Sequence, residues 1–200
     1  MTKFNIQTAD LKYIMSAIRP AMPRTDVKPV HQYIKFECAD GVLSAYGLDG
    51  YRMHSVTVHI DITEGDRSFA FLLRPITVPQ TRSPFIPCEL SEKEIMFNFG
   101  EMKISYSLGE GIEDFVDVHK IMPKDPAVFR IAFNPKFLYD AAKSLKCDDR
   151  TPAVLELRNP MLPAVLYNEK DRTDYRVVLP VRLKNDEGWG TAFPERNENA

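Results

Sequence analysis

The 200-residue sequence has three cysteines, Cys38, Cys88 and Cys147, widely spaced and without a Cys-x-x-Cys pair. That excludes the disulfide framework of a small secreted domain, and no histidine stands at ligand spacing from them, so three reduced thiols are expected. Glycine is scarce as well, nine in all. None falls into a Gly-x-x-x-x-Gly-Lys loop or a Gly-x-Gly-x-x-Gly turn, and neither His-Glu-x-x-His nor Gly-x-Ser-x-Gly occurs. His31, His54, His59 and His119 are scattered, and five residues along a strand put His54 and His59 on opposite faces, where they share no metal. The expectation is a protein that is not an enzyme and holds no cofactor or metal. An excess of one charge is missing too: 26 basic residues face 28 acidic ones, a net charge of −2. Any contact with nucleic acid therefore needs a locally basic surface. The longest apolar runs, FAFLL and PAVLY, are far too short to cross a bilayer, and MTKFNIQTADLK is too polar for a signal peptide. A soluble cytoplasmic protein with no membrane partner is expected.

What is present is a repeated pattern. FNIQ reads as a strand, and Thr8 as the cap of a helix with Asp10 in its first turn. Leu11, Ile14, Met15 and Ile18 then recur at the spacing of one helix face, and Pro20 and Pro23 end the run. The strands HQYIKFEC, VLSAYGL and RMHSVTVHI follow, separated by Asp40-Gly41 and Asp49-Gly50 turns. A second unit opens on FAFLLRP, but PITVPQTRSPFIP, where its helix belongs, holds Pro75, Pro79, Pro84 and Pro87. Each proline inside a helix costs about 3 kcal/mol, so loop is predicted there. The strands CELSE, IMFNF and MKISYSL close that unit before Gly109-Glu110-Gly111 and an irregular connector.

The third unit restates the first. VFRIAF reads as a strand; Asn134 caps a helix with Pro135 at its first position; Phe137, Leu138, Ala141, Ala142 and Leu145 form the apolar face. AVLELRN, AVLYNEK and YRVVLPVRL are its remaining strands. Pro180 interrupts the last of these, and proline belongs at a strand's edge, start or bulge. The prediction is an α+β chain of three β-α-β-β-β units with helices on one face of antiparallel sheets. Both intact helices turn basic faces outward: Lys12, Ser16 and Arg19 with Arg24 after the first, and Lys136, Lys143 and Lys146 around Tyr139 on the other. Solvated surface accounts for one such face; two in an acidic chain point to phosphates contacted without reading bases.

Two pairs of stretches carry a resemblance. DVKPVHQYIKFECADGVLSAYGLDGYRM (Asp26 to Met53) with EGIEDFVDVHKIMPKDP (Glu110 to Pro126) resembles the middle domain of the bacterial sliding clamp, the β subunit of DNA polymerase III. IAFNPKFLYDAAKSLK (Ile131 to Lys146) with NPMLPAVLYNEKDRTDYRVVLPVRL (Asn159 to Leu183) is similar to the second half of that clamp's last domain. The resemblance implies a clamp domain over residues 1–125 and half a clamp domain over 126–183; the composition of 184–200 adds the expectation of a polar, disordered tail that the family lacks. Nothing in the sequence resembles the clamp's first domain or the first half of its last, the parts that close the family's ring, so a ring would need a homo-oligomer of more chains. His31 and Leu48 differ from the residues expected in the family, and the tail offers Trp189 and Phe193 to a groove.

The resemblance also implies partners: duplex DNA held non-specifically, and short clamp-binding peptides of DNA polymerase or other replication and repair proteins. By resemblance His31, Leu48, Gly50, Tyr51, Arg52 and Met53 form one wall of a peptide groove. Val116, Lys120 and Ile121 form its floor, and Val177, Leu179, Pro180, Val181 and Arg182 the other wall. Lys12, Arg19, Arg24, Lys136, Lys143 and Lys146 would face DNA. Two functions stay open: a processivity accessory assembled around DNA in a bacterial or phage-infected cell, and a non-encircling peptide-binding module that regulates replication. An enzyme of unrecognised type is a distant third.

Overall fold

Alternation of apolar and polar residues sets the first strand against a core, with Thr2, Phe4 and Ile6 buried along β1 (Thr2–Gln7). The computed structural model describes residues 1–23, 28–148 and 150–182, and the chain divides into two units, Met1–Lys120 and Ile121–Ala200. After β1 the first unit runs through α1 (Thr8–Ile18), β2 (Ile34–Ala39), β3 (Val42–Leu48), β4 (Met53–His59), β5 (Asp61–Glu64) and β6 (Ser68–Leu73). It continues with β7 (Phe85–Leu90), β8 (Glu94–Asn98) and β9 (Lys103–Ser107); a single turn, α2 (Val118–Ile121), follows at the boundary.

The two halves of this unit interlock by exchanging their first strands. One sheet has the order β4-β3-β2-β6 and the other β5-β1-β7-β8-β9, all pairs antiparallel. β6, which opens the second half, therefore pairs with β2 of the first, and β1 pairs with β7 of the second. Leu11, Ile14, Met15 and Ile18 of α1 enter one core with Phe4, Phe36, Phe71, Ile86, Ile95 and Phe97, drawn from both halves. The proline-rich segment between β6 and β7 forms no helix, as its proline content predicts. Its last residues are the exception: Phe85, Ile86 and Pro87 belong to β7. Pro87 is tolerated because the pairing of β7 with β8 begins only at Cys88, so on that side its missing N–H costs nothing.

Other local expectations are corrected. Thr8 does not cap α1; its hydroxyl donates to the Ser83 carbonyl at 2.7 Å, and the cap position falls to Gln7. His31 and Gln32 lie in a 3-10 turn over Pro29–Gln32, because Pro29 sits in its first turn, and the strand begins at Ile34. β5 was not anticipated: its exposed, polar sequence carries no apolar alternation and it pairs only along the edge of β1.

The second unit holds α3 (Pro135–Ser144) and a sheet of order β10-β11-β12, formed by Ala153–Glu156, Ala164–Asn168 and Asp171–Val178. Asn134 caps α3 as its side chain predicts, accepting from the Lys136 N–H at 2.9 Å. VFRIAF is not a strand; Ala132 alone bridges to Val181. The helix face is narrower than its pattern, with Ala141 and Leu145 buried against Leu166 and Val178 while Phe137 stays 59% exposed. Leu138 is half-buried and Ala142 exposed. The strand expected through Leu183 ends at Val178, ahead of Pro180, and Leu183 lies outside the described residues.

Candidate functional site

Several residues of the expected groove gather at the β3–β4 corner of the first unit. Leu48 is buried at the end of β3, paired with Met53 at the start of β4, and both join a small apolar cluster with Tyr46, Leu72, Phe115 and Val118. Half-buried Val116 packs on the same cluster. His31 is buried beside it, its ring edge-on to Phe115 at 5.9 Å between centroids. Its Nε2 has no hydrogen-bond partner among the described residues. Burial, reinforced by the Lys28 charge, holds this imidazole below its ordinary pKa of 6.5.

The turn is built by Asp49. One carboxylate oxygen accepts from the Tyr51 and Arg52 backbone N–H groups at 3.1 and 3.2 Å, and the other accepts from Arg52 Nε at 2.9 Å. These bonds, that from Tyr51 first, hold the carboxyl below the usual range. Gly50, at φ 90°, supplies the left-handed residue such a turn requires. Tyr51 is left 98% exposed, an aromatic ring held on a fixed corner. Arg52 is therefore committed to Asp49. Lys120 pairs with Asp117 at 3.2 Å, and Ile121 is half exposed.

In the second unit, Val177, Leu179, Pro180 and Val181 line a pocket of about 630 Å3 at the outer edge of β12. Leu179 is 71% exposed, and Val177 and Val181 are also exposed, so the lining is apolar and open to solvent. Its other wall is α3, through Phe137, Asp140, Ala141 and Ser144. Arg176 stiffens the floor, donating to the Ser144 hydroxyl at 2.8 Å, to the Ser144 carbonyl at 2.9 Å and to Asp174 at 2.6 Å. Arg182 is exposed next to Val181 and does not line the pocket. Sequence reasoning missed Phe137 and Arg176. It placed Phe137 in the core, and the available signal was that aligning Leu138, Ala141, Ala142 and Leu145 with Leu11, Ile14, Met15 and Ile18 sets Phe137 at the place of the polar Asp10.

A second pocket of about 690 Å3, lined by Ser16, Arg19, Pro20, Gln32, Arg74 and neighbouring residues, lies where α1 ends. Arg74 stacks over Tyr33 at 4.9 Å from its centroid. Lys12, Ser16 and Arg19 are exposed along α1. On α3, Lys136 forms an ion pair with Asp140 and Lys143 lies over the Tyr139 ring at 5.4 Å; Lys146, just after the helix, is exposed. Arg24, Trp189 and Phe193 lie outside the described residues. Among the described residues no group of His, Cys, Asp and Glu could hold a metal ion, and no helix is long and apolar enough to cross a membrane.

This architecture has counterparts among solved structures. The chain superposes on the DNA polymerase sliding clamp of Bacillus subtilis with a TM-score of 0.65 and 14% identity, over 90% of this chain and 64% of that one. The β subunit from the DNA polymerase of Streptococcus pyogenes gives a TM-score of 0.63 at 15% identity, over 89% and 53%. DNA polymerase III β subunit from Thermotoga maritima gives 0.55 at 13%, over 92% and 66%. The fold is that of the bacterial sliding clamps, and the chain spans less than two thirds of the length of each. No family model matches the sequence, and no curated protein matches it.

Proposed function

We propose that this chain is a clamp-like accessory protein of DNA replication, not an enzyme, that binds short peptides of a DNA polymerase or other DNA-processing protein. The observation that carries the reading is the pocket at the end of β12, where exposed Leu179, Val177 and Val181 meet Phe137 of α3. Isolated exposed side chains need no explanation, but an apolar concavity with a rigid polar floor is the usual form of a peptide anchor. The corner of Leu48, Gly50, Tyr51, Arg52 and Met53, with His31, Val116 and Lys120 of the same unit, is proposed as a second peptide-contacting set, and Ile121, the first residue of the second unit, as a contact of its own. Lys12 on α1 and Arg19 at its end, with Lys143 on α3 and Lys146 just after it, are proposed to touch DNA phosphates, giving weak, salt-sensitive contact suited to sliding. A cytoplasmic location, with DNA and a homo-oligomer as partners, belongs to the same proposal.

Two measurements test it. Binding of a labelled clamp-binding peptide of a DNA polymerase is expected to weaken at least about tenfold in Leu179→Asp, with Met53→Asp testing the other contact set by itself. Unchanged affinity in the double variant refutes the peptide site. Retention on closed circular DNA, lost on linearisation, is expected of an encircling assembly. Equal release from both forms would leave the chain a peptide-binding regulator that does not encircle DNA.

A further inference from the structure

The first unit shows how a half of this fold is completed. The edge of β1 that faces its own half pairs with β5, Asn5 opposite Asp61, and its other edge pairs with β7 of the other half. The far edge of β2 is likewise taken by β6. The second unit repeats the first of these contacts at the same position: Asn5 lies two residues before the cap Gln7, Ala132 two before the cap Asn134, and Ala132 bridges to Val181. The other two contacts have no counterpart. Among the described residues no strand lies along the remaining edge of 128–133 or along the outer edge of β10. An open strand edge is a template for pairing.

The side chains agree. Leu155 pairs with Leu166 and so shares its face toward α3, yet it is 41% exposed and Leu157 36%. The corresponding core residues of β2 and β7, among them Phe36 and Cys88, are 2% and 1% exposed. Strand exchange of the β1–β7 kind can be laid onto this edge in a register set by the faces. Phe133, which packs on the α3 core, then lies opposite Ala153, Ile131 opposite Leu155, and Phe129 opposite Leu157. At the Phe133 end the ladder runs past Ala153, since the Pro152 carbonyl still accepts from the Glu169 N–H at 3.1 Å; at the other end Leu157 directly follows β10. On the reverse face the same register sets Arg130 directly opposite Glu156, whose carboxylate already pairs with Arg158 and Arg172 within its own unit, so that Arg130 would join an existing charge cluster.

We propose that a second copy of this chain occupies these edges, residues 129–133 of each copy pairing with β10 of the other about a two-fold axis. The two open edges of one half are complementary to each other, so one symmetric contact closes four of them, as an isologous interface must. The inference rests on the fold and not on peptide or DNA binding.

Sedimentation of the full chain tests it. The expected species has about twice the 22.9 kDa chain mass. Ile131→Glu and Leu155→Glu should each weaken it at least about 100-fold, while Met102→Glu, at an exposed site of the first unit, should leave it intact. A chain that stays monomeric at high micromolar concentration, or a dimer indifferent to both edge variants, overturns the proposal. Charge exchange guards against variants that do not fold. Arg130→Glu and Glu156→Arg chains should each lose the dimer alone and recover it on mixing, because every cross-strand pair is then of opposite sign. Failure of the mixture, with the circular dichroism of both chains unchanged, also overturns it. Amide exchange on the unaltered chain is the independent check: protection at 129–133 and 153–157 should rise with concentration. Protection that ignores concentration and disappears when residues 183–200 are removed would give those edges to the chain's own tail instead.

Discussion

Gly47 sets how closely α1 can approach the sheet beneath it. A Cβ at this position in β3 would stand 2.4 Å from Ile18 Cγ2 and 3.3 Å from Met22 Cγ. The first distance is about 1 Å short of an ordinary carbon–carbon contact, which begins near 3.5 Å. Ile18 cannot step aside, being fully buried and β-branched near the end of a helix, where one χ1 rotamer dominates. Gly47→Ala should therefore cost about 1–3 kcal/mol of overpacking, offset by about 0.5–1 kcal/mol from the smaller entropy of the unfolded alanine chain. The net expectation is a loss of up to about 2.5 kcal/mol, read as a lower urea midpoint at constant m. A double-mutant cycle isolates the cause. Ile18→Ala removes the clashing methyl, so in that background Gly47→Ala should cost almost nothing, a coupling of about 1 kcal/mol or more. Equal costs in the two backgrounds would refute the contact as the reason for the glycine.

Other expectations follow from single groups. Asn134→Ala removes the α3 cap and should destabilise the second unit by about 1 kcal/mol, seen as faster amide exchange in α3 with α1 unaffected. The His31 pKa is lowered by folding, so between that lowered value and 6.5 the unfolded chain binds a proton that the folded chain does not. Stability should be full above pH 6.5 and decline as pH falls through the folded pKa. His31→Gln should flatten that part of the profile, and an unchanged slope would remove His31 as its source. Replacing Lys143 and Lys146 by alanine should lower the slope of log affinity for DNA against log salt by about 0.9 for each phosphate no longer neutralised, without changing peptide binding.

The first unit was largely legible in its sequence because local pattern and tertiary demand agree there. The stripe of Leu11, Ile14, Met15 and Ile18 is buried as its period requires, and the proline-rich segment after β6 forms no helix. What could not be read was the exchange of β1 and β6 between halves, since strand alternation marks a face and not a neighbour. Most failures in the second unit share one physical origin. VFRIAF has the composition of a strand and Leu138 and Ala142 the spacing of core residues, but on the proposed dimer each is completed only by a partner half; Phe137 instead matches the polar Asp10 of α1 and lines the pocket beside β12. Within the candidate site, the resemblance led to Val177, Leu179, Pro180 and Val181, which do line one pocket. It gave no hint that Asp49 engages Arg52 or that Arg176 braces the α3 wall, because both depend on turn and side-chain geometry.

The second unit exposes apolar side chains along two borders, and the two require different explanations. β10 and β12 are opposite edges of one three-stranded sheet, so Leu155 and Leu157 lie on one border and the pocket of Val177, Leu179 and Val181 on the other. At the β10 border the first unit supplies the precedent of β6 on β2, a backbone ladder closed by another half. At the β12 border there is no such precedent, because β4, its counterpart, is also an edge and takes no further strand among the described residues. Pro180 accounts for the difference. Directly after β12 it denies an incoming strand one N–H donor, so an occupant there must be held mainly by side chains in the pocket. A substitution at Leu155 should then change the mass of the assembly and leave peptide affinity alone, while one at Leu179 should do the reverse. If either variant moved both readouts together, the two borders would be one interface, and the peptide and dimer proposals would have to be replaced by a single one.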